Sequence, residues 1–597
     1  MRDAKTVLDI IHERGKRGLP IEDVYRQLYN PDLFLRGYGR IYRNRGAMTP
    51  GSTEETVDGM SRVKIERLIE QLRYERLRWT PVRRAQIPKK NGKLRPLGIP
   101  TWSNKLVQEV MRSLLEAYYE PQFSDHSHGF RPNRGCHTAI RAIQRWHGVN
   151  WFIEGDIKGC FDTIDHDVLL SIIRERLHDN RFIRLLENLL KAGYLEDWTY
   201  RPTLSGTPQG GIVSPVLSNI YLDRLDRFVE HELMPRFTKG KARKMNEPYR
   251  ILRAQILRCK SRGEVAEVKE LRKTMQQIPS IDTADPEYRR LYYVRYADDF
   301  LLGFSGPRVE AEEIKALLKE FLRKELKLEL SEHKTLITHA YTETAHFLGY
   351  EITRTLCNTK HDRHGRRCVN HGITFRVPQN AVTERCDLYK AQGKIVGRAA
   401  LIYNHDYTIV SMYQSQYRGF VQYYALAHNL GALNRLKWTM LTSMLKTLAK
   451  KHKTRVNQIV NRYKTTTQTP EGPRQCFEVK VEREGKKPMV ARFGGISLKR
   501  QKWAEIYDQP KAIYFGSTRT ELVQRLLADT CEICGATSNC EVHHIRKLSD
   551  LKVKGRRARP QWQEIMAAIR RKTLVACRDC HVAIHAGKIN LDKASNG

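Results

Sequence analysis

The run LYYVRYADDFLLGF, residues 291–304, sets two adjacent aspartates, Asp298 and Asp299, in a stretch whose other residues read as a buried strand. Successive side chains of a strand point to opposite faces, so neighbouring carboxylates converge only if the chain bends. A hairpin with YYVRY and FLLGF as its arms meets that need, since Asp is common in turns. A third carboxylate, Asp156, ends another buried run, WFIEGD (151–156), where an unpaired charge would be expensive. Divalent metal removes that cost. Mg2+ takes a few carboxylates, waters and substrate phosphates. Two such ions activate an attacking hydroxyl and stabilise a leaving pyrophosphate. The expected chemistry is nucleotidyl transfer.

At 597 residues the chain is too long for one core. It carries 105 Lys and Arg against 66 Asp and Glu, a net charge of +39. Such an excess points to a polyanionic partner, by default nucleic acid. No apolar run is long enough to span a bilayer, and MRDAKTVLDIIHERGKRG lacks a signal-peptide core. The expected location is the cytoplasm, bacterial by the single-chain architecture, with no membrane partner. Five of the 12 cysteines fall in the last 70 or so residues, which suggests a local metal site rather than a disulfide framework.

Along the chain, helices are expected at Val63–Trp79 and Lys105–Tyr119, with a hairpin around Asn91-Gly92 between them. Residues 238–290 read as a basic helical insertion, either a solvated helical pair or an RNA contact. In VEAEEIKALLKEFLRKEL, Leu317, Leu318 and Phe321 are expected to face inward. The stretch from 422 to 456 reads as helical, with Leu441, Leu445 and Leu448 in one core stripe. TTTQTPEGPRQ (465–475) reads as a linker. Asp162 and Asp165 are read as turn and helix-cap residues rather than metal ligands.

WFIEGDIKGCF (151–161) together with YADD (296–299) resembles the palm of a reverse transcriptase. RPLGIPTWSNKLVQEVM (95–111), HGFRPNRGCHTAI (128–140), SGTPQGGIVSPVLSNIYL (205–222), LSEHKTLI (330–337) and FLGYEI (347–352) follow in the matching order. The set resembles the reverse transcriptase–maturases encoded by group II introns, over essentially the whole chain. The resemblance implies Asp156, Asp298 and Asp299 as catalytic ligands of two Mg2+ ions, assisted by the Ile157 carbonyl. It implies Lys93 and Arg95 as the triphosphate clamp, a task suited to cations with several donors. Phe161 becomes the aromatic gate against a 2′-hydroxyl, which favours dNTPs. Gln209 and Gly210 would meet the incoming nucleotide, Lys334 the dNTP or primer end, and FLGY the primer grip.

At the C-terminus, Cys531-x2-Cys534 and Cys577-x2-Cys580 have the spacing of a four-thiolate Zn2+ site. EVHHI with CHVAIH resembles the HNH endonuclease motif. That resemblance implies His544 as general base and His543, His581 and His585 as ligands of one divalent ion. The motif's middle Asn is absent; Lys572 or Thr573 stands near its place.

The expected fold class is a multidomain α+β chain. Residues 1–80 are an N-terminal extension and the start of the fingers. Fingers and palm follow at 81–375, and an α-helical thumb or maturase domain at 376–465. A small basic DNA-binding segment covers 466–528, and a zinc-stapled ββα-metal HNH domain covers 529–597. The expected function is a reverse transcriptase, maturase and DNA endonuclease, with intron RNA, target double-stranded DNA and dNTPs as partners. A splicing cofactor without polymerisation and a homing nuclease with a relic polymerase are the other classes weighed.

Overall fold

The computed structural model describes residues 2–587 except 45, 89–91, 93, 197–198, 202–205, 207–209, 283–284, 356, 358–362, 364–371, 484, 507–520, 546–561, 564–565 and 567–571. At its centre lies a five-stranded sheet. Its strands run in the order Ile337–His339, Trp151–Asp156, Asp299–Ser305, Arg290–Tyr296 and Ser127–His128. The hairpin expected around the paired aspartates forms, with Arg290 opposite Ser305 and Tyr296 opposite Asp299. Phe152, Ile153, Val294, Leu301 and Leu302 are buried among the helices that cover the sheet.

Beneath the hairpin turn lies a fully buried ion pair. Arg295 donates from Nε (2.8 Å) and Nη2 (2.6 Å) to the two oxygens of Asp226, on the helix Ser214–Phe228. Its Nη1 reaches the carbonyl of Ala297 at 2.7 Å. Ala297 holds φ +55°, a left-handed conformation unfavourable for a residue with a Cβ. The guanidinium therefore fixes the bend that the adjacent aspartates require.

Val82–Pro88 and Leu94–Ile99 pair as the expected fingers hairpin, in a four-stranded sheet with Tyr194–Glu196 and Thr199–Arg201. The preceding helix spans only Arg62–Arg73, short of Trp79. Tyr74 leaves helical geometry and Glu75 takes φ +54°, so the chain turns toward the strand. The next helix, Trp102–Tyr119, starts earlier than expected because the Thr101 side chain caps it by accepting from Asn104 N–H. The basic insertion is a helical pair, Glu247–Ser261 and Val265–Gln277, with a small core of Ile256, Cys259 and Val268.

In the helix Arg308–Glu325 the buried stripe is Ala311, Ile314, Leu318 and Leu322. Leu317 and Phe321 flank it half-buried, and Phe321 stacks on Phe228 with ring centroids 4.1 Å apart. The true stripe follows the 3.6-residue period from Ala311. The region expected as the thumb holds helices Gln379–Asp387, Asp406–Tyr423, Leu433–His452 and Val456–Tyr463. The single helix expected from 422 onward is broken by a short turn at Leu430–Ala432. Leu445 and Leu448 are buried and Leu441 packs at their margin.

The expected linker is instead a strand, turn and strand. Lys464–Thr469 pairs with Gly472–Arg483, which pairs with Lys486–Gly494. Alternating threonines suit a half-buried strand, and the Pro-Glu-Gly run supplies only the turn. This sheet packs on the thumb: Gln414 Nε2 donates to the Gly494 carbonyl, and Tyr417 lies against Phe493.

The C-terminal unit is a hairpin, Cys540–His544 with Thr573–Cys577, followed by the helix Arg578–His585. Its sheet gains a third strand from far away in sequence, since Met60 and Ser61 pair with Val542 and Glu541.

Candidate active sites

The palm brings Asp156 and Asp299 opposite each other on neighbouring strands, with Asp298 at the turn. Burial pushes the Asp299 carboxyl up to about 7, helped by the charges of Asp298 and Asp156. Burial also raises Asp298, while Arg95 and Lys334 oppose the rise. Three acids that disfavour one another's ionisation in a half-buried pocket fit divalent cations. Lys334 Nζ meets both Asp156 oxygens at 2.9 and 3.0 Å, and that hydrogen bond raises its own pKa. Ile157 bridges to Leu330; the flanking bonds use Lys158 N–H and the Asp156 carbonyl, not the carbonyl of Ile157.

Phe161 follows the tight turn at Gly159 (φ +60°) and meets Phe130 edge-on, centroids 6.0 Å apart. Gly210 holds φ +107°, and a Cβ there would lie 2.3 Å from the Gly98 carbonyl oxygen. Only glycine lets this loop approach the fingers strand so closely. Lys93 and Gln209 lie outside the described residues. Asp165 caps the helix His166–Arg174 by accepting from Val168 N–H, in keeping with its helix-cap reading.

Cys531, Cys534, Cys577 and Cys580 meet with all four sulfurs within 4.8 Å of one another, Cys534 and Cys577 at 3.7 Å. This fits a tetrahedral thiolate Zn2+ site. Cys540 is buried near the Ala536 and Ser538 carbonyls and stays outside the group.

His543, His581 and His585 converge as expected. They are joined by Asp58, a residue with no local motif to mark it, and one ligand atom from each lies within 4.8 Å of the others. His543 is buried, and among the described residues neither ring nitrogen has a hydrogen-bond partner, the Asp58 carboxylate standing 3.4 Å from Nδ1. Such an orphan signals a missing ligand, which fits a divalent ion. Glu541, also missed in the sequence, accepts from His581 Nδ1 at 2.8 Å. Burial opposes protonation of His581, yet Asp58 and Glu541 raise it to about 9. Burial holds His544 down at about 4. Thr573 stands opposite His544, and its hydroxyl and carbonyl both accept from Arg525.

Residues 87–352 match the reverse transcriptase (RNA-dependent DNA polymerase) family, 380–496 the type II intron maturase family, and 531–581 the AI2M/AI1M-like HNH endonuclease family. The chain is 38% identical to the group II intron-encoded protein LtrA of Lactococcus lactis, covering 97% of the chain and 99% of the relative. It is 34% identical to an uncharacterized 91 kDa protein in the cob intron of Schizosaccharomyces pombe (99% and 74%). A putative COX1/OXI3 intron 1 protein of Saccharomyces cerevisiae is 31% identical (98% and 71%). Among the described residues no helix is long and apolar enough to cross a membrane.

Proposed function

Since the chain belongs to the group II intron-encoded proteins and carries reverse transcriptase, maturase and HNH endonuclease domains, we propose that it copies intron RNA into DNA from a primer that its own nuclease cuts. The observation that carries this reading is the pairing of Asp156 with Asp299 beside Asp298. Two Mg2+ ions held there would activate the primer 3′-hydroxyl and stabilise the leaving pyrophosphate. The protein's own part is orientation. Arg295 holds the aspartate turn, Lys334 and Arg95 bring positive charge to the triphosphate side, and Gly210 opens room for the base pair. Phe161 closes the floor beneath the sugar and so favours dNTPs. Lys93 and Gln209 are assigned to the triphosphate and the nucleotide by their motifs.

The thumb helices and the basic surface hold the intron RNA through its backbone; splicing chemistry stays with the RNA. The DNA-binding region is assigned to 466–528. The C-terminal unit, stapled by Zn2+ on its four cysteines, nicks one strand of the target duplex, with His544 as base and His543, His581 and His585 as metal ligands. Charge, family and the absence of a membrane helix among the described residues support a nucleic-acid-associated bacterial protein of the cytoplasm.

The test is a reconstituted ribonucleoprotein on its DNA target. Asp298→Asn should abolish cDNA while splicing and nicking persist. His544→Ala should abolish the nick while extension of a supplied primer persists. Loss of all three activities in either variant would count against separate sites.

A further inference from the structure

The histidine cluster of the C-terminal unit is covered by a segment almost five hundred residues upstream. Gly59 N–H donates to the Val542 carbonyl at 3.1 Å, and Met60 and Ser61 extend the hairpin as an added strand. Val57, Met60 and Val542 are all buried. A Cβ at Gly59, which holds φ +71°, would lie 3.6 Å from the His581 ring. The segment is therefore laid over the metal cluster with side chains locked beneath it.

Asp58 points into that cluster. One carboxylate oxygen accepts from the His544 backbone N–H at 2.7 Å and lies 3.4 Å from both His543 Nδ1 and His581 Nε2. The other is 2.8 Å from His585 Nε2. We propose that Asp58 is the fourth ligand of the histidine metal site, and that by closing this site it holds the nuclease latent while the N-terminal segment is docked. The proposal rests on the HNH reading given above and adds to it a ligand from outside the motif.

The donor set carries the argument. Three imidazoles and one carboxylate suit a four-coordinate transition ion such as Zn2+ or Co2+. Catalytic sites of this kind keep one position open, whereas sites with four protein ligands are closed. Three histidines alone leave a place for a phosphate oxygen, and the Asp58 carboxylate, an anionic oxygen donor, takes that place. The base is blocked in the same docked arrangement. His544 is only 6% exposed, and its Nε2 is engaged by the Tyr38 hydroxyl at 3.0 Å. Tyr38 belongs to the helix Pro31–Ile41, so one N-terminal unit covers both metal and base. Duplex DNA reaches them only when the C-terminal unit parts from this strand and helix.

The test uses the full-length protein with Zn2+ in its cysteine site and excess Mg2+ to occupy the palm. Co2+ binding is measured by calorimetry, and amide hydrogen exchange is followed at 57–61 and 540–545. In the wild type Co2+ should bind once and slow exchange in both segments. The near-isosteric Asp58→Asn should weaken Co2+ at least tenfold, abolish the slowing at 57–61 and raise nicking of target duplex. Asp58→Glu, which keeps the charge, should retain most of the binding. Undiminished Co2+ affinity in Asp58→Asn, with exchange at 57–61 indifferent to metal in both proteins, would overturn the proposal. So would a fall in nicking, which would make Asp58 a working part of the nuclease. Failure of the wild type and His585→Ala alike to bind Co2+ would instead sink the metal-site reading on which the proposal stands.

Discussion

Arg295 and Asp226 form an ion pair from which solvent is wholly excluded, and the same guanidinium holds the carbonyl of Ala297 one residue before the paired aspartates. Tyr293 donates to Asp226 as well, and Ser127 accepts from Arg295. Breaking a buried pair leaves a bare charge, at a cost of about 3–5 kcal/mol. Asp226→Ala should lose that much stability in chemical denaturation. The double variant Asp226→Leu with Arg295→Met should recover most of it, because an apolar pair needs no partner. It should not recover polymerisation, because the support of Ala297 is gone. Full activity in the double variant would show that the turn needs no guanidinium.

His128 gives a pH dependence. Burial, with Arg134 and Arg131 nearby, depresses its pKa from 6.5 to about 3. Its backbone carbonyl accepts from Ala297 N–H at 3.0 Å, so its strand supports the same turn. The unfolded chain binds the proton first as pH falls, so stability is intact above pH 6.5 and lost between there and about 3. The slope approaches roughly 1.4 kcal/mol per pH unit. His128→Gln should show a shallower acid-side loss than the wild type when urea midpoints are compared from pH 7 to 4. Parallel curves would mean that His128 is not held neutral.

Phe161 tests sugar selection. Its ring stands against Phe130 after a left-handed turn and is half-exposed. Phe161→Ala should raise ribonucleotide incorporation relative to dNTPs by on the order of tenfold or more, the scale of a steric change in a pocket. Single-nucleotide extension with each substrate class gives the ratio. An unchanged ratio would reduce Phe161 to a core aromatic.

The four cysteines predict a Zn2+ content of one per chain from this site. Cys534, the exposed member, can be replaced with little damage to packing. Cys534→Ser should lower bound Zn2+ and make the C-terminal unit sensitive to protease, since metal binding and folding are coupled in such small units. Primer extension should survive. Retained zinc in Cys534→Ser would move the metal elsewhere.

Much of the palm was legible because its chemistry is local in sequence. A pair of aspartates in an apolar run demands a hairpin, and Trp151–Asp156 forms as read. The cysteine and histidine spacings likewise singled out seven residues that the fold gathers into two clusters able to hold a metal ion. Asp58 stayed hidden because nothing beside it in the chain calls for a metal, and its place in the cluster exists only once Met60 pairs with Val542. Glu541 stands inside the EVHHI run itself, and only its contact with His581, 40 residues on, marks it. Arg295 was hidden for a similar reason, since its partner Asp226 lies 69 residues away. The misread linker shows the limit of composition. Thr-Pro-Gly runs suggest a break, but the threonines at 465–467 alternate between half-buried and exposed positions on a strand paired with Gly472–Arg483.

The most direct measurement is extension of a DNA primer on an RNA template by the purified protein with Mg2+, wild type beside Asp298→Asn. Extension is expected from the wild type and none from the variant, with both proteins folded and bound to RNA. Equal extension by both would contradict the assignment of the aspartate hairpin as the metal site. No extension by either would leave a splicing factor or nuclease in place of a polymerase.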